Sequence, residues 1–327
     1  MAQRVTIEAL AGWLKQQDDL VLLGHVNPDG DAVGSALAIR HALVALGRRA
    51  TVCLPGGIPK MYGWMPGAAT VLDTCDQMPF APAAALAVDV SDESRLGEAG
   101  RALFESCSEN AAIDHHATNA GFGGRYALDG GAAAVGELAL ELISALGVPM
   151  TREIAECLFV AISTDCGQFN YSNTRPQTMT AAARCIAAGI DVADITRRLY
   201  RTRSYGRTKL LGLVLSELEV SDDGRLAWAR LTEDMLLQAR ALREDNEGIV
   251  NYLLEIEGVC VAVLAEQRGT DTKLSLRSAP PVDVARDIAM PLGGGGHARA
   301  AGATLQADMD TALGQALALA RKALDDA

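Results

Sequence analysis

Short apolar runs alternate with longer amphipathic segments through the first half of the chain, and this alternation restricts the fold more than any other feature. Residues 20–24 and 85–90 are predicted to be buried strands, whereas residues 33–46 carry apolar side chains at helical spacing. Strands that alternate with helices predict a parallel sheet with helices on both faces. Further strands are predicted at 50–54 and 111–114, and further helices at 133–146 and 153–164. We therefore expect an α/β fold for this half.

Polar residues follow the predicted strands at the points where the strands end. His25, Asp29 and Asp31 lie in the segment HVNPDGD, directly after the first buried run. Asp89 ends the run ALAVD, and the tripeptide Asp-His-His occupies residues 114–116. Ligands of open α/β sheets bind at the carboxyl ends of the strands. We therefore expect these side chains to converge although they are far apart in sequence.

The crowding of histidine and aspartate at these positions indicates a metal site. Three of the five histidines of the chain lie in such acidic segments. Neighbouring carboxylates repel one another unless a cation lies between them, and a mixture of imidazole and carboxylate suits Mn²⁺ or another first-row ion. Simpler interpretations also fit, because Asp29 and Asp31 could cap a helix and Asp89 could end a strand in a turn. Asp114 could orient one of the two histidines that follow it.

Two later segments carry further candidate residues. Asp165, in the segment STDCGQFNYSNT, falls at the end of a predicted helix, where the helix dipole disfavours an anion. The segment GGGGHARAAGA at 293–303 begins with four consecutive glycines, which allow backbone N–H groups to approach an anion closely. His297 and Arg299 would add charge-assisted contacts there. A plain flexible loop explains the glycines equally well.

The second half of the chain predicts a smaller α+β domain. Residues 191–207 are polar and basic, and we interpret them as a helical linker between a first domain at 1–190 and a second at 208–327. The second domain has predicted strands at 226–231, 259–265 and 273–277, and predicted helices at 283–289 and 309–324.

Charge and composition exclude several classes of function. A net charge of −12 disfavours a protein that grips long double-stranded nucleic acid, because such binding needs a broad basic surface. The seven cysteines form no CxxC pair, which argues against a disulfide framework and a structural zinc site. The N-terminus lacks a signal-peptide core, and no apolar run reaches the roughly 18 residues of a membrane helix. We expect a cytoplasmic protein that does not bind membranes.

Five motifs, taken in order, resemble one known family. HVNPDGD, AVD, DHH, STDCGQF and GGGGHARAAGA are similar in order and spacing to the motifs of DHH phosphoesterases that carry a DHH-associated C-terminal domain. The resemblance covers essentially the whole chain. Its length resembles that of the bifunctional oligoribonucleases, or nano-RNases, which also remove a phosphate from 3′-phosphoadenosine 5′-phosphate. Cys166 stands where family members often have threonine, and we expect it to be a small packing residue.

The resemblance implies two divalent cations, expected to be Mn²⁺, with Mg²⁺ and Co²⁺ also suited to the site. Asp89 would bridge the two cations, His116 would face the scissile phosphate, and Asp114 would assist it in catalysis. The implied ligands of the first cation are His25, Asp29 and Asp89, and those of the second are Asp31, Asp89, His115 and Asp165.

The resemblance also implies contacts to substrate from the second domain, with the active site in the cleft between the domains, and it is compatible with a homodimer. The implied substrate-binding residues are Arg277, Gly294, Gly295, Gly296, His297 and Arg299. The expected reaction is hydrolysis of dinucleotides and other short oligoribonucleotides to mononucleotides, and of 3′-phosphoadenosine 5′-phosphate to AMP.

Other functions remain as alternatives at this stage. A stand-alone cyclic-dinucleotide phosphodiesterase would use the same centre. A manganese pyrophosphatase resembles the first domain, but the glycine-rich segment is unlike its second domain. A long-strand exonuclease is disfavoured by the short acidic chain, and a non-catalytic nucleotide-binding module is disfavoured because all six ligand positions are filled.

Overall fold

The computed structural model describes residues 2–326, and the chain divides between Arg201 and Thr202 into two compact units. In the described part of the first unit, one sheet has the strand order β1-β6-β5-β4-β2-β3, and every pair is parallel. The predicted parallel sheet is thereby confirmed. Its strands are β1 (Gln3–Arg4), β2 (Leu20–Leu23), β3 (Ala50–Cys53), β4 (Ala84–Val88), β5 (Glu109–Asp114) and β6 (Arg125–Leu128).

Helices cover both faces of this sheet, as the sequence predicts. Alternate residues of β2 point to opposite faces, so that Leu20 and Leu22 join one apolar cluster while Val21 and Leu23 join another. The larger cluster packs under α1, α2, α4 and α5, and the smaller one under α3. The helices are α1 (Ile7–Leu14), α2 (Gly30–Ala45), α3 (Gly97–Ser106), α4 (Val135–Leu146), α5 (Arg152–Asp165), α6 (Pro176–Ala187) and α7 (Val192–Thr196).

Two glycines let α2 and α4 approach α5 closely. A Cβ on Gly34 would lie 2.4 Å from the carbonyl oxygen of Cys157, and one on Gly136 would lie 2.8 Å from the Cβ of Ala161. Both distances are too short for a real side chain. The close approach fixes the N-terminal ends of α2 and α4 relative to the C-terminal end of α5, where Asp165 lies.

The second unit is built on a mixed sheet with the strand order β11-β12-β10-β9-β8-β7. The β8–β9 pair is parallel and the other pairs are antiparallel. Its strands are β7 (Glu219–Val220), β8 (Leu226–Leu231), β9 (Val261–Arg268), β10 (Asp271–Ser278), β11 (Gly295–His297) and β12 (Ala300–Leu305). Its helices are α8 (Tyr205–Ser216), α9 (Glu233–Ala239), α10 (Ile249–Leu254) and α11 (Met309–Asp325). The predicted second α+β domain is confirmed.

Local structure departs from the sequence prediction in two segments, and the linker segment is helical in parts. The helix predicted at 283–289 is a single π-helical turn, Ala285–Ala289. The glycine-rich segment is partly a strand, because Gly295–His297 pairs with β12. Between residues 191 and 207, α7 is followed by a π-helical turn at Arg197–Arg201, and α8 begins at Tyr205. Within residues 2–326, no helix is both long and apolar enough to cross a membrane.

Candidate metal centre

The polar residues at the carboxyl ends of β2, β4 and β5 converge with Asp165 at the end of α5. In the described part of the chain, three groups of side chains bring potential ligand atoms within 4.8 Å of one another. The groups are His25–Asp29–Asp89, Asp31–His115–Asp165 and Asp89–His115–His116. The structure therefore gathers all six side chains that the sequence nominates as metal ligands into one centre.

Asp29 has two roles that the sequence presents as alternatives. Its Oδ1 accepts hydrogen bonds from the backbone N–H groups of Asp31 and Ala32, so it is the N-cap of α2. Its Oδ2 lies 3.8 Å from Nε2 of His25 and remains available to a ligand. The cap interpretation is correct for one oxygen and leaves the other free to bind a metal.

Asp31 does not cap α2, the helix that contains it, and its carboxylate is held at the start of α4. Its Oδ2 accepts a hydrogen bond of 2.6 Å from the backbone N–H of Val135, and its Oδ1 accepts one of 2.9 Å from Gly136. The N-terminal end of a helix stabilises an anion in this position. Oδ2 also lies 3.8 Å from Nε2 of His115.

Asp89 lies between the two ligand groups and directs one oxygen to each. Its Oδ2 is 3.8 Å from Nε2 of His25, whereas its Oδ1 is 3.8 Å from Nε2 of His115 and 3.7 Å from Nδ1 of His116. The residue is 2% exposed and has a φ of 60°, which is unfavourable for an aspartate. Strain of this kind is concentrated at functional sites.

The ring of His115 is oriented by a backbone carbonyl. Its Nδ1 lies 3.0 Å from the carbonyl oxygen of Ala132, and since this oxygen can only accept, Nδ1 carries the proton. In the neutral ring Nε2 is then the unprotonated nitrogen, and it faces Oδ2 of Asp165 at 3.4 Å. A metal ligand with its other nitrogen bonded to a carbonyl is the usual arrangement for histidine.

His116 differs from His115 in that its Nδ1 is bonded to a carboxylate. Oδ1 of Asp114 lies 2.9 Å from this nitrogen, and Oδ2 accepts a hydrogen bond of 2.7 Å from the side chain of Asn119. Burial acts to raise the pKa of Asp114, but the hydrogen bonds from His116 and Asn119 lower it overall. Asp114 is therefore a charged residue that orients His116, whose side chain is 36% exposed.

The donor set fits divalent cations. Gaps of 3.4–3.8 Å between nitrogen and oxygen are too long for hydrogen bonds. They are close to the spacing of roughly 3–4 Å expected between donors that each lie about 2.1 Å from a shared ion. Oδ1 of Asp89 is also buried without a hydrogen-bond partner within residues 2–326. A cation would satisfy that oxygen.

The electrostatics of the metal-free centre also favour bound cations. Burial, reinforced by the charge of Asp165, raises the pKa of Asp31 to about 8. Burial and the charge of Asp31 raise the pKa of Asp89 well above its ordinary value. Burial alone would lower the pKa of His115, but the neighbouring Asp31 and Asp165 raise it overall. The site thus gathers negative charge that positive ions would neutralise.

Sequence reasoning missed two residues that contact this centre. Asn119 fixes Asp114, and it is the last residue of the segment AAIDHHATN. Arg95 places its Nη2 3.2 Å from Nδ1 of His25, and it lies only six residues after Asp89 in the segment SDESRLG. The sequence feature that could have identified Arg95 is its position shortly after an aspartate at the end of a strand.

The candidate substrate residues of the second unit lie on or beside three neighbouring strands of its sheet, β11, β12 and β10. Arg277 on β10 pairs in register with Ala300 on β12, and Ala300 pairs with His297 on β11. Arg277 and His297 therefore project from the same face of the sheet. The Nε of Arg277 donates to Asn251 at 3.1 Å, and Nη1 of Arg299 donates to backbone carbonyl oxygens of the same unit.

The glycines of this segment have a local structural reason as well. A Cβ on Gly294 would lie 2.1 Å from the carbonyl oxygen of Gly302, and Gly296 has a φ of 140°. Close approach to β12 therefore requires glycine at both positions, whereas a Cβ on Gly295 would meet nothing within 4 Å.

Cys166, in the first unit, is fully buried, and burial raises the pKa of its thiol.

Comparison with known proteins identifies both units. The DHH family N-terminal domain matches residues 19–162, and the DHHA1 domain matches residues 235–326. The bifunctional oligoribonuclease and PAP phosphatase NrnA of Thermus thermophilus is 38% identical over 304 residues, which cover 92% of this chain and 88% of that protein. NrnA of Bacillus subtilis is 24% identical and covers 88% and 90% of the two chains.

Solved structures agree with this grouping. An exopolyphosphatase-related protein from Bacteroides fragilis superposes with a TM-score of 0.86 at 28% identity, covering 98% of this chain and 95% of that one. Exonuclease RecJ bound to manganese has a TM-score of 0.53 at 16% identity, covering 98% and 94%, and shares the fold. The chain therefore belongs to the DHH family of phosphoesterases that carry a DHHA1 domain.

Proposed function

We propose that this protein is a two-cation phosphoesterase that hydrolyses short oligoribonucleotides to mononucleotides and 3′-phosphoadenosine 5′-phosphate to AMP. The observation that carries the proposal is Asp89, whose two oxygens face two separate groups of ligands. Relatives at 38% and 24% identity are named bifunctional oligoribonucleases and PAP phosphatases, and the match runs along nearly the whole of each chain.

The proposed cations are Mn²⁺, because histidine and aspartate together suit a first-row ion better than they suit Mg²⁺. His25, Asp29 and Asp89 would hold one cation, and the other would be held by Asp31, Asp89, His115 and Asp165. When bound, such a pair supplies Lewis acidity, which polarises the phosphoryl oxygens and lowers the pKa of coordinated water.

His116 is the proposed proton donor. Asp114 accepts the hydrogen bond from Nδ1, so Nε2 is the nitrogen that is free to exchange a proton with substrate. A protonated His116 donates from Nε2 to the oxygen that leaves phosphorus, while Asp114 keeps the ring oriented through Nδ1. Asn119 keeps Asp114 in place by donating to its second oxygen.

Short substrates fit the charge of the chain. A net charge of −12 disfavours long nucleic acids, whereas cations and a few arginines suffice for a dinucleotide. We expect Arg277 and His297, which project from one face of the second unit's sheet, to bind the nucleotide.

A turnover panel with added Mn²⁺ tests the proposed substrates. It contains a diribonucleotide, a five-residue oligoribonucleotide, 3′-phosphoadenosine 5′-phosphate, cyclic diadenylate and pyrophosphate. We expect mononucleotides from both RNAs and AMP from 3′-phosphoadenosine 5′-phosphate, with pyrophosphate unchanged. Turnover of cyclic diadenylate or pyrophosphate alone would refute the substrate assignment, and no turnover of any compound would refute the enzymatic function.

Arg95 is expected to bind a phosphate group of the substrate. Nδ1 of His25 lies 2.9 Å from the carbonyl oxygen of Val26, and with a metal on Nε2 this Nδ1 must carry a proton. Arg95 cannot then donate to it, and Arg95 has no ion pair within residues 2–326. We predict that Arg95→Met raises the KM for a diribonucleotide about tenfold to a hundredfold, the value of a charged hydrogen bond.

Steady-state kinetics check this prediction against a matched control. Arg101 is also an exposed arginine, in the middle of α3, but it pairs with Glu93 and Glu105. Arg101→Met should leave KM unchanged. An unchanged KM in Arg95→Met as well would show that Arg95 does not contact substrate.

A further inference from the structure

We propose that Glu137 and Asn173 are positioning residues for one of the two cations, the one held by Asp31, His115 and Asp165. The inference rests on the proposed two-cation centre and adds that the ligands of only one cation are supported by these residues. A hydrogen-bonded layer behind the centre reaches three ligands of one cation and none of the two ligands that belong to the other cation alone.

The first step concerns residues 132–136, which hold two of the three ligands. The carbonyl oxygen of Ala132 lies 3.0 Å from Nδ1 of His115 and sets the direction of its ring. The backbone N–H groups of Val135 and Gly136 donate to the carboxylate of Asp31 at 2.6 and 2.9 Å. A displacement of this segment would therefore move both ligands together.

Glu137 anchors that segment from behind. Its side chain is buried, and its Oε1 accepts hydrogen bonds from the backbone N–H of Ala133 at 3.4 Å and from the hydroxyl of Thr178 at 2.5 Å. Its Oε2 accepts a hydrogen bond of 2.7 Å from Arg175. All of these partners are donors, so a carboxylate fits this position and an amide does not.

Asn173 connects the same segment to the third ligand. Its Nδ2 donates to the carbonyl oxygen of Ala133 at 3.3 Å and to that of Asp165 at 3.2 Å. Asn173 thereby ties the backbone of α5, where Asp165 lies, to the segment that Glu137 holds. Groups that orient a metal ligand in this way typically change metal affinity by about 10- to 100-fold when they are removed.

The other cation is held independently of this layer. His25 is oriented by the carbonyl oxygen of Val26, and Asp29 is fixed by N–H groups at the start of α2. In the described part of the chain, no hydrogen bond joins Glu137 or Asn173 to His25 or Asp29. A disturbance of the layer should therefore weaken one cation selectively.

Calorimetric titration of the full-length, metal-free protein with Mn²⁺ tests the selectivity. We expect two ions per wild-type chain, and in Glu137→Gln and Asn173→Asp one ion bound as before and one bound about 10- to 100-fold more weakly. Glu141→Gln, an exposed change one turn further along α4, should bind like wild type. Two unchanged ions in Glu137→Gln and Asn173→Asp, or equal weakening of both ions, would overturn the inference.

A double-mutant comparison assigns the weakened ion. Asp29→Asn damages only the first group of ligands, and Asp165→Asn damages only the second. Glu137→Gln should weaken the ion that remains in Asp29→Asn but not the ion that remains in Asp165→Asn. The reverse pattern would overturn the inference while leaving the two-cation function intact. A wild-type protein that binds no Mn²⁺ would instead refute the proposed function itself.

Discussion

Asp89→Asn is expected to lower the turnover of a diribonucleotide about a thousandfold or more, because it weakens both cations at once. Each oxygen of Asp89 faces a different ligand group, so loss of its charge affects both. Two cations supply several kcal/mol of transition-state stabilisation, and each 1.4 kcal/mol corresponds to roughly a factor of ten in rate. Turnover with Mn²⁺ and metal content after dialysis measure the effect.

The stability of Asp89→Asn separates a catalytic loss from unfolding. Burial and the charge of Asp31 oppose a charge on Asp89, and asparagine carries none, so the metal-free variant should melt at or above the temperature of the metal-free wild type. Asp76→Asn, a change at an exposed aspartate of the same unit, is the matched control and should retain full turnover. An Asp89→Asn protein that keeps two ions and its rate would contradict the assignment of the bridging ligand.

Removal of metal is expected to destabilise the first unit, and more so at pH 8 than at pH 6. Burial raises the pKa of Asp31 to about 8 in the folded, metal-free protein, whereas an unfolded aspartate titrates near 3.9. Between these values the folded state binds more protons than the unfolded state, so stability falls as the pH rises. The raised pKa of His115 acts in the same direction, because its contribution is lost as the pH rises through the folded value.

Thermal melts of chelated and Mn²⁺-saturated protein at both pH values measure this coupling. We expect the melting temperature of the chelated protein to fall by several degrees between pH 6 and pH 8, which corresponds to a few kcal/mol. Saturation with Mn²⁺ should restore it, with the larger gain at pH 8. Asp31→Asn should flatten the pH dependence. A chelated protein that is more stable at pH 8 would contradict the electrostatic description of the centre.

The sequence predicts the parts of the fold that local patterns determine. The buried strands β2 and β4 are continuous apolar runs, and α2 has apolar residues through its length, so their presence follows from composition and spacing. β6 was not predicted, because its four residues, RYAL, are stabilised by pairing with β5 rather than by a pattern of their own. The strand β11 was not predicted either, because glycines are compatible with close contact to β12 and equally with a loop.

The candidate site likewise contains residues that the sequence predicts and residues that it does not. The candidate metal ligands could be predicted because histidine and aspartate cluster at the ends of strands, and the structure brings all six together. Glu137 and Asn173 were not predicted from the sequence, because their contacts are with backbone groups elsewhere in the chain. Asp29 shows a further limit, because the sequence poses capping and metal binding as alternatives, whereas its two oxygens can serve both.

Anomalous diffraction from Mn²⁺-loaded crystals, measured at the manganese absorption edge, tests the central claim most directly. We predict two anomalous peaks about 3.5–4 Å apart, with Asp89 between them. One peak should lie beside His25 and Asp29, and the other beside Asp31, His115 and Asp165. The absence of both peaks, or peaks remote from Asp89, would contradict the two-cation centre and the phosphoesterase mechanism built on it.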